Sequence, residues 1–283
     1  MILPTESPML TTADMTPQKL GRVLQERGFV VLERFIGGLQ LDAVQAEADW
    51  FLNNPRDWFK REVLSHGRMA TISPLTIPEA ELARLNATSE VFSQPFYQQV
   101  CRGYLPHAFV DRLIVHKEQA HNEPVTEWHA DQQRKGLHSF KFMLYFNDVT
   151  KENGAFSYVP GSHRLTRAVM EAAATVSIPN VEAHNFEEIR GLARSLGLDN
   201  CLRDLDLLDE HIRGDYDSDD FYSLEAPRGS LILFDTKGIH RGGVISRGER
   251  YLMRLHCFEP MRSWKQSVRR LVGLPRANPR LFW

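Results

Sequence analysis

Trp128-His129-Ala130-Asp131 sets an imidazole and a carboxylate two residues apart, and a further histidine, His240, follows 109 residues after Asp131. On an extended strand, residues i and i+2 point to one face, with Cα atoms roughly 6.5 Å apart. If the fold brings His240 to that face, two imidazoles and a carboxylate bind one side of a metal ion. Such a facial arrangement leaves the opposite positions free, the geometry of non-haem iron(II) oxygenases. Arg250 stands ten residues beyond His240. Its planar guanidinium suits a carboxylate and stays charged inside a protein. An H-x-D alone arises by chance in many proteins, where it is a surface histidine beside a turn aspartate. Its weight therefore depends on the segments that would have to position it.

Those segments fall into three textures. Thr16-Pro17 reads as a helix cap followed by proline in the first turn, opening a helix that runs to Gly28. A short strand, Phe29-Val30-Val31-Leu32, and an amphipathic helix over Leu39 to Leu52 follow. Residues 1–15 read as loose and residues 54–80 as loop, with helix again from Pro78 to Cys101, broken near Pro95. The helical region thus spans 16–101. From Phe109 short apolar or alternating runs at 111–117, 124–131, 139–147, 155–159, 229–235 and 250–258 are punctuated by Gly, Asn, Pro and Asp. That pattern predicts a β-sandwich or barrel with helices covering one face. Its core covers about 109–164 and 227–260. Between these parts lies an insert, about Leu165 to Ala226, which reads as helical at 165–174, 186–197 and 202–212 before an acidic run from Asp215 to Asp220. A basic tail, 261–283, closes the chain.

Composition narrows the partners. A formal net charge of −2 gives no global field toward nucleic acid or an anionic membrane. The three cysteines are widely spaced, without a CxxC pair, so neither a disulfide framework nor a zinc knuckle is expected. No run approaches the ~20 apolar residues of a membrane span, and no signal peptide is legible before Met15. A single domain, cytoplasmic and acting on a small molecule, is the expectation; oligomeric state is silent.

Three segments go beyond a generic β-protein. They are Trp128-His129-Ala130-Asp131, the run from Tyr145 to Gly154 with Val159-Pro160-Gly161-Ser162-His163-Arg164, and Gly229 to Asp235 leading to His240-Arg241-Gly242-Gly243. In this order the chain resembles the phytanoyl-CoA dioxygenase family of iron(II)/2-oxoglutarate oxygenases, over roughly residues 18–35 and 110–260. The resemblance implies a double-stranded β-helix, a jelly roll mostly of β-structure with flanking helices and a helical insert. It implies iron(II), 2-oxoglutarate and dioxygen, with His129, Asp131 and His240 as catalytic metal ligands. Arg250 matches the residue that grips the distal carboxylate of 2-oxoglutarate. The intervening loop is one residue shorter than in the family, so Arg247 stays as the alternative. The implied reaction oxidises a C–H bond, most simply by hydroxylation, while 2-oxoglutarate becomes succinate and CO2.

Alternation adds two residues to the co-substrate site. In Ser139 to Asn147, Phe140, Phe142, Leu144 and Phe146 share one face, leaving Lys141, Met143, Tyr145 and Asn147 on the other. If the apolar face packs on the helices, Lys141 and Tyr145 turn into the barrel mouth. A buried lysine needs an anionic partner, either 2-oxoglutarate or an acidic substrate; otherwise it snorkels to the sheet edge. His163 reads as a turn-shaping residue, His138 as structural or substrate-contacting, and His256 as a strand residue with a hydrogen-bond partner. A non-catalytic cupin-like binder, a desaturase, a halogenase and a nucleic-acid demethylase are the competing functions. Asp131 disfavours the halogenase, which needs chloride in that place, and the balanced charge disfavours the demethylase.

Overall fold

The computed structural model describes residues 9–10, 16–74, 76–106, 108–121, 128–131, 137–176, 185–214 and 222–260. Helix α1 (Pro17–Arg27) starts where the Thr16 hydroxyl accepts the Lys19 N–H at 3.3 Å. It stops at Gly28, whose φ of 83° is open to glycine without steric cost. A Cβ at Gly28 would also strike the Tyr158 hydroxyl and the His163 ring. The chain then enters β2 (Phe29–Leu32), having already contributed β1 (Met9–Leu10). After α2 (Gly38–Asn53) comes a hairpin, β3 (Lys60–Leu64) and β4 (Gly67–Ile72). A 3-10 turn (Glu79–Leu85), α3 (Asn86–Phe92) and α4 (Pro95–Tyr104) complete the helical layer.

The strands that follow are β5 (Phe109–Gln119), β6 (Leu137–Tyr145), β7 (Phe156–Tyr158), β8 (Ser223–Leu224), β9 (Leu231–Asp235), β10 (His240–Gly242) and β11 (Glu249–Pro260). They form a larger sheet in the order β1-β2-β9-β6-β11-β5-β4-β3 and a smaller one, β10-β7-β8. Only the β1–β2 pairing is parallel among the described strands. Two cores hold this together. Phe140, Phe142, Leu144 and Phe146, with Tyr251, Met253, Leu255 and Cys257, pack against the helices. Phe29, Val31, Met143, Tyr145, Ile232, Phe234 and Leu252 fill the space between the sheets with Phe156, Tyr158 and Leu224. The arrangement is the jelly roll that the resemblance implies, with both faces of the larger sheet covered around β9. That is why β9, Leu-Ile-Leu-Phe-Asp, is buried at every position.

The insert forms α5 (Ser162–Thr175), α6 (Phe186–Ser195) and α7 (Asp199–Gly214), close to the three helical segments read from the sequence. Two expectations need correction. Residues 54–80 are not simply loop, because β3 and β4 extend the larger sheet beyond β5. Residues 1–15 are not wholly loose, because Met9 and Leu10 pair with Val31 and Leu32. Most of the expected strand at 124–131, the acidic run at 215–220 and the tail 261–283 lie outside the described residues.

Candidate active site

Backbone hydrogen bonds bring the three candidate ligands together. His129 N–H donates to the His240 carbonyl at 3.0 Å, and His240 N–H returns the bond at 2.8 Å. Asp131 N–H donates to the Thr236 carbonyl at 2.9 Å. The segment carrying H-x-D is thereby laid along the one that leads from β9 into β10. One ligand atom from each of His129, Asp131 and His240 lies within 4.8 Å of the others. Asp131 Oδ1 is 3.8 Å from His129 Nε2 and 3.5 Å from His240 Nε2. His240 Nδ1 is 2.8 Å from the Gly238 carbonyl. A carbonyl accepts only from a protonated nitrogen, so Nε2 keeps its lone pair for a metal. Phe156, Phe234 and Tyr158 surround the His240 ring, with centroids 5.4, 5.3 and 6.2 Å away. Two imidazoles and one carboxylate so disposed fit iron(II), which favours this donor set over thiolate.

Lys141 lies inside, as alternation requires, and its ammonium contacts Asp131 Oδ2. Its partner within the chain is thus neither co-substrate nor substrate, but the carboxylate of the triad. Burial pushes the Asp131 carboxyl up, but the Lys141 ammonium and the His240 ring outweigh it and hold the group well below the usual range. With Oδ2 held by Lys141, Oδ1 is the oxygen that faces both imidazoles. The Tyr145 hydroxyl is fully buried and accepts the Phe156 N–H at 3.4 Å. Burial raises its pKa to about 12, so it stays protonated at neutral pH.

Arg250 is also buried in the barrel. It donates to Glu118 Oε2 at 2.6 Å and to the Gly154 carbonyl at 2.5 Å, while its Nε has no partner among the described residues. Gly154, at φ 86°, and Gly242 leave room for the guanidinium; a Cβ would stand 3.4 and 3.0 Å from its Nη1. Arg247 instead pairs with Glu152 at the surface, four-fifths exposed. Of the two arginines kept open by the sequence, only Arg250 enters the barrel. Sequence reasoning missed Glu118, whose carboxyl burial raises but Arg250 and His116 bring below its usual value.

Comparison with known proteins follows the same line. The model of the phytanoyl-CoA dioxygenase family matches residues 24–250. The chain belongs to that family. That membership supports the reading as an iron- and 2-oxoglutarate-dependent oxygenase over that of a non-catalytic binder. A curated relative, "Dioxygenase andF" of Emericella variicolor, is 24% identical over 165 residues, which cover 53% of this chain and 56% of that protein. Among solved structures, iron-bound EctD from S. alaskensis is similar at a TM-score of 0.55, 16% identity and coverage of 97% of this chain and 93% of that one. The carbocyclase SnoK of nogalamycin biosynthesis, described as non-haem and α-ketoglutarate-dependent, gives 0.54, 13%, 95% and 95%. The epimerase SnoN with Fe3+, α-ketoglutarate and nogalamycin RO gives 0.51, 12%, 86% and 83%. At these identities the solved structures show the fold.

In this family member the insert reaches the cluster of His129, Asp131 and His240. Helices α5, α6 and α7 share a core with Ala130, Val159 and Ile239. Asn185, the cap of α6, bridges to His129. Tyr222 meets the Trp128 ring edge-on, with centroids 6.0 Å apart, and Arg241 lies 4.5 Å from the Trp128 centroid. A buried network docks α5: Arg167 and the Tyr104 hydroxyl both bond Asp235 Oδ2. His163 Nε2 bonds the Gln25 carbonyl at 3.1 Å and ties α5 to α1. Burial lowers the His138 pKa to about 4. Among the described residues His256 Nε2 is buried without a partner. Its cross-strand neighbours are Arg112 and Lys141, cations that offer no acceptor.

Proposed function

We propose that this oxygenase hydroxylates a C–H bond of a small-molecule metabolite. In this reading His129, Asp131 and His240 hold iron(II), and Arg250 grips the distal carboxylate of 2-oxoglutarate. The observation that carries it is the convergence of three ligand atoms within 4.8 Å, with the His240 tautomer set by Gly238. When bound, iron and 2-oxoglutarate supply the oxidising chemistry, in which dioxygen, succinate and CO2 balance oxidation of the substrate. The chain's contribution is placement. Lys141 holds one oxygen of Asp131 so that the other points to the imidazoles. The protonated Tyr145 hydroxyl is available as a donor inside the barrel, and Phe156, Phe234 and Leu252 keep water out. Trp128, Tyr222 and Arg241 stand where a substrate would enter beside His129.

Two measurements test this. Anaerobic addition of iron(II) and then 2-oxoglutarate should produce a visible charge-transfer absorption, absent in Asp131→Ala. Mass spectrometry of metabolite extracts should then show substrate-dependent succinate and a product carrying one extra oxygen. A product that has only lost two hydrogens would make the enzyme a desaturase.

A further inference from the structure

Alternation along β11 turns Arg250, Leu252, Arg254 and His256 away from the helical core. Two interior cations already have carboxylates: Arg250 has Glu118, and Lys141 has Asp131. Arg254 is left over. Among the described residues no hydrogen bond or ion pair ends on its guanidinium, and its Nε is closed to solvent without a partner. Its cross-strand neighbours are Ile114 and Met143, which offer no acceptor side chain. The carboxylates that act on it from a distance are Asp131 first and Glu118 after it, both held by other cations. The residue is largely but not wholly buried, as His129 and Asp131 are.

A guanidinium cannot escape by losing its proton, and an unpaired buried charge is costly. Metal binding at Asp131 would sharpen the imbalance, because the carboxylate that acts on Arg254 most strongly is then shared with a dication. We propose that Arg254 is a second carboxylate receptor in the barrel, separate from Arg250. It takes a carboxylate either of the 2-oxo acid or of the substrate, which would then be a small organic acid. Its planar fork between two apolar neighbours suits a planar anion. The assignment deepens the oxygenase reading and rests on it.

The test compares wild type with Arg254→Met, Arg254→Lys and Arg250→Met. In the ligand-free, metal-free protein, Arg254→Met should melt at a higher temperature than wild type, since it removes an uncompensated charge. Arg250→Met should melt lower, since it strands Glu118. Iron-loaded protein is then titrated anaerobically with 2-oxoglutarate and with 2-oxobutanoate, which lacks the distal carboxylate. If Arg254 serves the distal carboxylate, both Arg254 variants lose at least ten-fold in 2-oxoglutarate affinity and nothing with 2-oxobutanoate. If it serves the metal-side carboxylate, both ligands weaken. If it serves the substrate, neither weakens, but acetate or benzoate perturbs the charge-transfer band of wild type and not of the variants. Unchanged affinity for all these acids, or a lower melting temperature in Arg254→Met, overturns the proposal. Failure of wild type to bind 2-oxoglutarate at all overturns the oxygenase reading instead. Benzoate-induced stabilisation of wild type, absent in Arg254→Met, then decides Arg254 alone.

Discussion

At the scale of single residues, the two charge pairs inside the barrel, Lys141 with Asp131 and Arg250 with Glu118, each make a prediction. Asp131→Ala should abolish iron binding, read by metal analysis, and leave the far-ultraviolet circular dichroism unchanged, because Asp131 is only partly buried. Arg250→Lys keeps a charge beside Glu118 but loses the fork, so the 2-oxoglutarate requirement should rise ~10-fold, the scale of one charged hydrogen bond. Arg247→Ala should leave that requirement unchanged, since Arg247 faces solvent. His116 gives a pH dependence. Burial lowers its pKa to about 4, against the pull of Glu118. A depressed histidine pKa means the unfolded chain binds the proton more readily between about 6.5 and 4. Stability should therefore fall as pH drops through that window. Urea unfolding at pH 7, 5.5 and 4.5 checks it, and His116→Asn should flatten the fall.

At the scale of elements, what the sequence discloses depends on how many faces an element buries. The insert helices, β6, β9 and β11 were legible because their apolar periodicity is strong. The hairpin of β3 and β4 was not, because Lys60, Arg61, Glu62 and Arg68 interrupt any alternation and only Ala70 and Ile72 are deeply buried. Edge strands carry charge for good reason, and that same charge hides them. The convergence of His129, Asp131 and His240 was readable from residue type, spacing and the family resemblance, whereas its supports were not. Gly238, Asn185 and Glu118 matter through where the backbone passes, which no spacing rule encodes. Arg254 was readable in part: it lies four residues after Arg250 on one strand, hence on the same face. Its lack of a partner needed the pairing of three strands. Docking of α5 belongs to this scale as well. Asp235 is wholly buried beneath Arg167 and Tyr104, so Asp235→Ala should cost about 3–5 kcal/mol in denaturant unfolding, the usual loss when a buried charge is stranded.

For the whole molecule, the insert is continuous with the barrel, because its core includes Ala130, Val159 and Ile239 from the strands and loops around the ligands. Circular dichroism and tryptophan fluorescence should therefore report one unfolding transition with one midpoint; a separate early transition at Trp128 would show an insert that unfolds alone. The reciprocal hydrogen bonds between His129 and His240 carry a last consequence. Many small metalloproteins fold only as they capture their ion, and spend much of its binding energy on ordering the chain. Here the two imidazoles are already registered by main-chain bonds, so little chain entropy remains to be lost when the ion arrives. Chelation should strip the ion from a protein that keeps its melting profile nearly unchanged. The empty enzyme should then recover full occupancy on adding iron(II), without passing through an unfolded state.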